Sequence, residues 1–292
     1  MRFTKMEGCG NDYIYVDGAK EKIDKDKKPD LVRRLSDRHF GIGGDGVIFV
    51  NPGSKAEFEM EMYNADGSRA EMCGNGIRCV GKFVYDHGLT DKERVTIESF
   101  GKVKILDLTV EDGYVRSARV NMGAPILKPS EVPVDDSYLN EDADKDSFIS
   151  KPLTVDGHDY KVTCVSMGNP HAVVFTDETD NIPDLDKMDI GSIGPLFENN
   201  KIFPNRTNTE FVEVIDRGHI KMRVWERGTG ETLACGTGCC ACAVACILNG
   251  RTDDKVRVDV LGGTIYVEWD RNENLVYMTG PAVTVFEGEV DI

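Results

Sequence analysis

The fold is decided by a stretch that occurs twice in the chain, FEMEMYNADGSRAEMCGNG at 58–76 and IKMRVWERGTGETLACGTG at 220–238. The two copies lie 162 residues apart. Upstream of them, GNDYIYV at 10–16 matches GNPHAVV at 168–174, at a spacing of 158 residues. Matches in the same order at nearly the same spacing indicate a tandem duplication of a unit about 150 residues long.

Each copy is predicted to be mostly β with one central helix. Apolar residues alternate with charged ones at 58–62 and at 220–224, and a period of two is typical of half-buried strands. One helix is predicted from about 75 to 88 and its counterpart from about 237 to 250, each ending at a glycine. A further helix is predicted at 29–38, with a proline in its first turn. A mixed α/β unit, in which a sheet curls around one helix, fits this pattern.

Local composition predicts turns and surface loops. Asp112-Gly113 and Asp156-Gly157 lie between alternating runs and are typical of tight hairpin turns. The stretches 20–28 and 135–146 are rich in charge, and we expect both to be solvated surface loops.

Composition limits the classes of function. The length of 292 residues suggests two domains at roughly 150 residues each. A formal net charge of −16 argues against nucleic acid or an anionic membrane surface as a partner, since both require basic patches. The apolar run 239–248 is too short to span a membrane. Nine cysteines, five of them within 235–246, form a poor disulfide framework, so we expect reduced thiols and a cytoplasmic location.

The chemistry is predicted from the turn that opens each central helix, Cys73-Gly-Asn-Gly76 and Cys235-Gly-Thr-Gly238. A helix N-terminus offers N–H groups without intrahelical partners and a positive dipole end, so it stabilises a thiolate and binds a carboxylate. One such turn is most simply a helix cap, but the duplicated pair favours a function. If the halves face each other across a cleft, one thiolate removes a proton from a carbon and the opposite thiol returns one, which inverts the stereocentre.

The remaining cysteines of the second copy are interpreted as packing residues. Cys235, Cys239, Cys242 and Cys246 fall on one stripe of a helix. Eleven residues at a 1.5 Å rise cover about 16 Å, too far for one ion to bind four thiolates. We therefore predict no metal site, and small thiols packed inside a sheet.

Six segments together resemble the diaminopimelate epimerase family over almost the whole chain. The resemblance implies an epimerase that needs no cofactor and converts LL-2,6-diaminopimelate to the meso form in lysine and peptidoglycan-precursor biosynthesis. The implied partner is a small-molecule amino-acid substrate, and members of the family are commonly homodimers. The segments are MEGCGNDYIYVD at 6–17, NADGSRAEMCGNGIRC at 64–79, SMGNPHAVVF at 166–175, RTNTEF at 206–211, WERGTGETLACGTG at 225–238 and YMTGPA at 277–282.

The resemblance also implies an α/β (α+β) fold of two pseudo-symmetric domains, each a β-barrel-like sheet wrapped around a central helix. The N-terminal epimerase domain would comprise residues 1–122 with 281–292 returning as its last strand, and the C-terminal domain 123–280. At Gly46, where some relatives have a glutamine that reaches the substrate and others a glycine, one candidate contact is missing.

Site residues follow by matching position. Cys73 and Cys235 are implied to be the catalytic pair, and His171 and Glu226 to tune the pKa values of the thiols. Backbone amides at 74–75 and 236–237 would bind the reacting carboxylate, and the guanidinium of Arg227 suits a second carboxylate. The implied substrate-binding residues are Asn11, Asn64, Gly74, Asn75, Asn169, Asn208, Glu226, Arg227, Gly236 and Thr237.

Three alternatives stay open at this point. A racemase of proline or histidine would share the chemistry but would leave the asparagines and Arg227 without a second head group to bind. A cysteine hydrolase or transferase would need only one essential thiol with a histidine base. A non-enzymatic anion-binding module would bind ligand without exchanging its α-proton. No lysine lies in a recognisable pyridoxal setting, so no cofactor is expected.

Overall fold

The structure is a computed structural model that describes residues 1–70, 72–135, 137, 146–182 and 184–292. The chain divides into two compact units, Met1–Asn121 with Thr279–Ile292 and Met122–Met278. Most of the charged stretch predicted as a loop at 135–146 lies outside the described residues.

Strands predominate over helices in both units. The helices are α1 (Lys28–Ser36), α2 (Gly74–Asp86), α3 (Ile190–Glu198) and α4 (Gly236–Leu248). The strands are β1 (Arg2–Gly8), β2 (Asn11–Asp17), β3 (Gly46–Pro52), β4 (Phe58–Asn64), β5 (Arg69–Ala70), β6 (Arg94–Ser99), β7 (Lys102–Glu111), β8 (Tyr114–Gly123), β9 (Phe148–Val155), β10 (His158–Ser166), β11 (Pro170–Phe175), β12 (Asn208–Asp216), β13 (His219–Glu226), β14 (Gly230–Thr232), β15 (Lys255–Val260), β16 (Gly263–Asp270), β17 (Leu275–Pro281) and β18 (Val283–Glu289).

The first unit is a mixed sheet around α2. Strand β1 pairs antiparallel with β18 and with β2, and β2 pairs parallel with β3. Strand β3 pairs antiparallel with β4, β4 parallel with β6, and β6 antiparallel with β7. Helix α2 contacts β1, β2, β3, β6 and β7, and its residues from Gly74 to Val84 are all buried. The sheet therefore wraps this helix.

The second unit repeats this order around α4. Strand β10 pairs antiparallel with β9 and with β11, β11 parallel with β12, β12 antiparallel with β13, β13 parallel with β15, and β15 antiparallel with β16. The register matches as well, because Val173 lies opposite Glu210 as Tyr15 lies opposite Ile48. The predicted duplication is confirmed at the level of strand order.

Local signals placed most elements correctly. The two central helices begin one residue before the predicted start and end two residues before the predicted end, with the following Gly88 and Gly250 at positive φ. Both residues of each Asp-Gly pair have positive φ, as a tight hairpin turn requires. No helix among the described residues is long and apolar enough to cross a membrane.

Helix α3 was not predicted from the sequence. It contains Gly191, Gly194 and Pro195, residues that disfavour a helix. Asp189 caps it by accepting a hydrogen bond from the Ser192 amide at 3.3 Å. A Cβ at Gly194 would lie 2.4 Å from the ring of Trp225, so glycine permits this helix to pack closely against β13. Tertiary packing outweighs intrinsic propensity here.

The prediction that residues 20–28 form a solvated loop is wrong at its end. Lys28 begins α1 and is buried. Its Nζ lies 2.6 Å from Glu61 Oε2 and 4.2 Å from the ring centroid of Phe49. A lysine paired with a buried carboxylate belongs to the core despite its charge.

Candidate active site

Cys73 is the N-cap residue of α2. Its backbone is extended (φ −129°, ψ 119°), and its Sγ accepts a hydrogen bond from the Gly76 amide at 3.3 Å. The thiol donates to Asn11 Oδ1 at 3.0 Å, and Asn11 Nδ2 donates to Asp45 Oδ2 at 2.7 Å. Because Asp45 fixes the orientation of the amide, Asn11 presents its oxygen to the sulfur.

A charged network supports this asparagine. Arg38 bonds Asp45 at 3.0 Å and Asp12 at 2.7 Å, and Lys5 Nζ lies 2.5 Å from Asp12. Burial alone would raise the pKa of Asp12, but Arg38 and Lys5 hold it below its ordinary value. The ends of β2 and of the loop before β3 are thereby tied together beside Cys73.

The side chain of Asn75 forms a hydrogen bond within the first unit. It is 2% exposed, and its Oδ1 accepts a hydrogen bond from Arg78 at 3.0 Å. The fully buried guanidinium of Arg78 also donates to the carbonyls of Gly74 at 3.3 Å and Pro281 at 3.1 Å. The backbone amides of Gly74 and Asn75 belong to the first helical turn, so they have no intrahelical acceptor.

In the described part of the chain, the side chain of Asn64 forms no hydrogen bond to the residues around Cys73. This residue ends β4, is exposed, and among the described residues its side chain bonds Ser68 Oγ at 3.1 Å. Gly46, on the neighbouring strand, cannot carry a side chain, because a Cβ there would lie 2.0 Å from the carbonyl oxygen of Tyr63. The backbone around Gly46 therefore leaves no room for a glutamine.

Cys235 is the corresponding N-cap residue of α4. Its Sγ accepts a hydrogen bond from the Gly238 amide at 3.4 Å, and the residue is 6% exposed. The Thr237 hydroxyl lies 3.4 Å from the sulfur and accepts a hydrogen bond from Asn169 Nδ2 at 3.2 Å. The structure thus brings Asn169, Thr237 and Cys235 together, and the amides of Gly236 and Thr237 lie in the first helical turn.

Two carboxylates make the surroundings of Cys235 acidic. Glu226 accepts a hydrogen bond from the Thr232 hydroxyl at 2.5 Å, and burial raises its pKa. Glu210 Oε1 lies 2.6 Å from His171 Nδ1, and neither side chain is exposed. Burial, followed by the charges of Glu226 and Glu210, raises the pKa of Cys235 well above its ordinary value. At neutral pH Cys235 is therefore a thiol.

The Glu-Arg pair consists of the last residue of β13 and the first residue of the turn that follows, and a buried carboxylate holds this turn. Asn208 Oδ1 accepts a hydrogen bond from the Arg227 amide at 2.8 Å, and the Arg227 guanidinium donates to the Asn205 carbonyl at 2.9 Å. Glu198 accepts hydrogen bonds from Trp225 Nε1 at 2.7 Å and from the Gly228 amide at 2.9 Å. Within the described ranges the Arg227 guanidinium makes this one hydrogen bond, to Asn205, so most of its five N–H donors are available for a ligand.

Known proteins resemble this chain over its full length. The family model described as diaminopimelate epimerase matches residues 3–128 and 163–285. The diaminopimelate epimerase of Acetivibrio thermocellus is 53% identical, with 100% of this chain and 99% of that protein covered. That of Agathobacter rectalis is 53% identical, with both chains covered completely.

The chain belongs to the diaminopimelate epimerase family.

Solved structures share the fold of this family member at low sequence identity. A phenazine biosynthesis protein of the PhzF family from Bacillus anthracis superposes with a TM-score of 0.70 at 19% identity, with 100% of this chain and 99% of that chain covered. A hydroxyproline epimerase from Agrobacterium vitis gives 0.66 at 14% identity, with 99% and 90% covered. The predicted fold class of two similar α/β domains is confirmed.

Three acidic residues that contact the site residues expected for a diaminopimelate epimerase were not predicted from the sequence. They are Glu210, Asp45 and Glu198. From the RTNTEF segment, the family resemblance implied a role for Asn208 but none for Glu210. One signal could have found Glu210: it aligns with Ile48 at the repeat spacing of 162, so a charge replaces an apolar residue on an inward-facing strand. Asp45 and Glu198 carry no comparable signal, because both act on residues distant in sequence.

The further cysteines of this family member pack in the core of the second unit. Cys239, Cys242 and Cys246 are all fully buried. The thiol of Cys242 lies 3.4 Å from the sulfur of Met222, on β13. Burial raises the pKa values of Cys242 and Cys246, the latter to about 12. Such thiols behave as small apolar side chains. In the described part of the chain, no three metal-ligating side chains are grouped so as to hold an ion.

Proposed function

We propose that this chain interconverts LL- and meso-2,6-diaminopimelate, with Cys73 and Cys235 acting on opposite faces of one α-carbon. The observation that carries the proposal is the repeated cap: each thiol begins a buried central helix, and each sulfur accepts the amide of the third residue beyond it, at 3.3 and 3.4 Å. Relatives that are 53% identical and bear the name diaminopimelate epimerase support this substrate.

The reaction conserves protons without a cofactor. The thiolate removes the α-proton, and the electron pair of the broken C–H bond remains on the α-carbon beside the carboxylate. Backbone amides of Gly74 and Asn75 in one unit, and of Gly236 and Thr237 in the other, would bind that carboxylate and stabilise its growing charge. The second thiol then gives its proton to the opposite face and becomes the thiolate. In reverse the roles exchange. Cys235, held as a thiol at neutral pH, would be the proton donor of the resting protein.

The distal amino-acid head must be bound without being inverted. Arg227 supplies a planar donor fork for its carboxylate, and asparagines supply both donors and acceptors for its ammonium group and carboxylate. His171 and Glu226 would tune the thiol pKa values through burial and charge. The residues proposed to hold substrate are Asn11, Asn64, Asn169, Asn208, Glu226 and Arg227.

Exchange of the α-proton in deuterated water tests the proposal. Purified protein should incorporate deuterium at the α-carbon of LL-diaminopimelate and form the meso isomer, but should not act on proline or histidine. Cys73→Ala and Cys235→Ala should each lower epimerisation by at least about 100-fold in both directions, the lower end for loss of a positioned acid or base. Cys246→Ala, which removes a buried thiol from the same helix as Cys235, is the matched control and should retain activity.

Other outcomes identify the alternatives. Full turnover by either catalytic variant would contradict the two-base reaction, and a single essential cysteine would favour a hydrolase or transferase. Ligand binding without α-proton exchange would indicate an anion-binding module. Exchange with proline in place of diaminopimelate would indicate a different racemase.

We also propose that the protein works as a cytoplasmic homodimer. The family resemblance supports the dimer, and the cysteine pattern supports the location, since nine cysteines with five of them within 235–246 form a poor disulfide framework. Sedimentation equilibrium should give twice the mass of the chain, and a monomer at micromolar concentration would contradict the dimer.

A further inference from the structure

A buried ionisable pair lies behind Cys235. His171 is on β11 and Glu210 on the adjacent parallel strand β12, and both side chains are 0% exposed. His171 Nδ1 bonds Glu210 Oε1 at 2.6 Å, but within the described residues His171 Nε2 and Glu210 Oε2 have no hydrogen-bond partner. A buried acid and base with an unsatisfied atom each are costly to the fold, so a functional reason for keeping them is expected.

The carboxylate of Glu210 lies close to the sulfur of Cys235. A Cβ built on Gly238 would be 2.7 Å from Glu210 Oε1 and 3.3 Å from Cys235 Sγ. Glu210 Oε1 and Cys235 Sγ are therefore at most 6.0 Å apart. At that separation in a protein interior, a negative charge acts strongly on a thiolate.

The first unit has no charge at the equivalent position. Ile48 on β3 corresponds to Glu210 at the repeat spacing, and a Cβ on Gly76 would lie 3.0 Å from Ile48 Cδ1. His171 likewise corresponds to Tyr13 at the spacing of 158. The duplication has therefore kept the cysteine caps alike and made the strands behind them differ in charge.

We propose that Glu210 is a positioning residue that disfavours loss of the Cys235 proton, and that His171 holds its carboxylate in place. The amide of Gly238 and the dipole of α4 favour the Cys235 thiolate, and the charge of Glu210 opposes them. The same cap at Cys73 meets the neutral Ile48, so the two thiols are chemically unequal before substrate binds. The catalytic meaning of this inequality rests on the proposed function; the effect on the proton of Cys235 does not.

Further titratable groups of the second unit lie near Cys235 or near Glu210. Burial is the largest cause that raises the pKa of the Cys235 thiol, and the negative charge of Glu226 on β13 adds to it. Cys164 on β10 and Cys242 on α4 are buried near Glu210, which helps to raise their pKa values, so both are neutral. Among the described residues, Glu226 and Glu210 are the carboxylates whose charges raise the pKa of this thiol after burial.

The test is a pH titration of the Cys235 thiol in protein labelled with 13C at cysteine Cβ, without substrate. The Cys235 signal is assigned by its loss in Cys235→Ala. Glu210→Gln keeps the shape of the side chain and removes the charge. We expect the onset of ionisation to move down by about one to two pH units, the scale of one charge within 6 Å at the effective dielectric of a protein. Glu210→Asp retains the charge and should move the onset less.

Glu213→Gln is the matched control, because Glu213 is an exposed glutamate on the same strand, and it should leave the titration of Cys235 unchanged. The inference is overturned if ionisation of Cys235 begins at the same pH in the wild type and in Glu210→Gln. It is also overturned if Cys235 remains protonated over the same pH range in both proteins. An equal shift in Glu213→Gln also overturns it. Failure of the proposed function would appear separately, as absence of α-proton exchange in the wild-type protein.

Discussion

The two cap glycines offer a matched pair of perturbations, Gly76→Ala in the first unit and Gly238→Ala in the second. Both residues lie at the third position of their helices, and neither has positive φ. The new methyl group therefore changes packing without straining the backbone. On helix propensity alone, each substitution should stabilise the protein by about 0.5–1 kcal/mol.

The atoms around the new methyl group differ between the two sites. At Gly76 it meets Ile48 Cδ1 at 3.0 Å and Met60 Cε at 3.1 Å, both the mobile ends of apolar side chains. At Gly238 it meets Glu210 Oε1 at 2.7 Å, and this oxygen is already held at 2.6 Å by His171. Relief requires the carboxylate to rotate away from the imidazole, at a cost of about 1.5–3 kcal/mol for a hydrogen bond to a charged group.

We therefore expect Gly76→Ala to change the free energy of unfolding by less than about 0.5 kcal/mol, the range of a tolerated substitution. Gly238→Ala should destabilise by about 1–2 kcal/mol after the propensity gain is subtracted. It should also lower kcat/KM more than its counterpart, because displacement of Cys235 by a fraction of an ångström disturbs the reacting geometry. Thermal unfolding and the deuterium-exchange assay measure both effects. Equal destabilisation by the two variants would refute the reasoning.

Two further predictions concern buried carboxylates. Glu61→Leu leaves the ammonium of Lys28 buried without its partner and should destabilise by about 3–5 kcal/mol, whereas Lys28→Met leaves Glu61 bonded to three other groups and should cost less. Burial alone would raise the pKa of Glu61, but Lys28 and Asn51 hold it below its ordinary value, so its contribution to stability is present above about pH 4.3 and is lost as pH falls through the folded-state pKa. Thermal unfolding from pH 7 downward checks both statements, and a larger cost for Lys28→Met would contradict them. Burial raises the pKa of Glu226, so the folded protein binds that proton more tightly than the unfolded chain and loses stability as pH rises. Glu226→Gln should therefore unfold about 2–4 °C higher at pH 8 while losing activity, with the gain vanishing near pH 4; a lower unfolding temperature at pH 8 would be the contrary result.

The fold was predictable wherever one local signal had one physical cause. The period-two strands and the Asp-Gly turns depend on neighbours in sequence, and the repeat can be read by comparing the two halves of the sequence. Each of these features was found in the expected place. Helix α3 was not, because its formation depends on Trp225 packing against Gly194, a contact across thirty residues. Lys28 was misplaced for the same reason, since it begins α1 and its partner Glu61 lies on β4, 33 residues away.

The candidate site was predictable to the extent that residues repeat. Cys73 and Cys235 were found because each opens a central helix in its own copy. Asn11 and Asn169 were also found in pairs, and the structure ties the first to a thiol and the second to Thr237 beside a thiol. The counterpart of Glu210 in the first copy is the uncharged Ile48. Glu210 therefore does not stand out when the two copies are compared for shared residues.

The difference in charge between the copies lies on the strands rather than on the helix turns. Each turn has to supply a capping thiol and a set of amides, and the space beside the third residue of each helix, Gly76 or Gly238, is already occupied by a side chain from a neighbouring strand. Ile48 fills that space in one unit and Glu210 in the other. Changing this one residue alters the charge beside the sulfur while the amides proposed to bind the carboxylate stay where they are. A duplicated protein that needs one thiol to begin protonated and the other ionised can therefore vary here with the least disturbance to substrate binding.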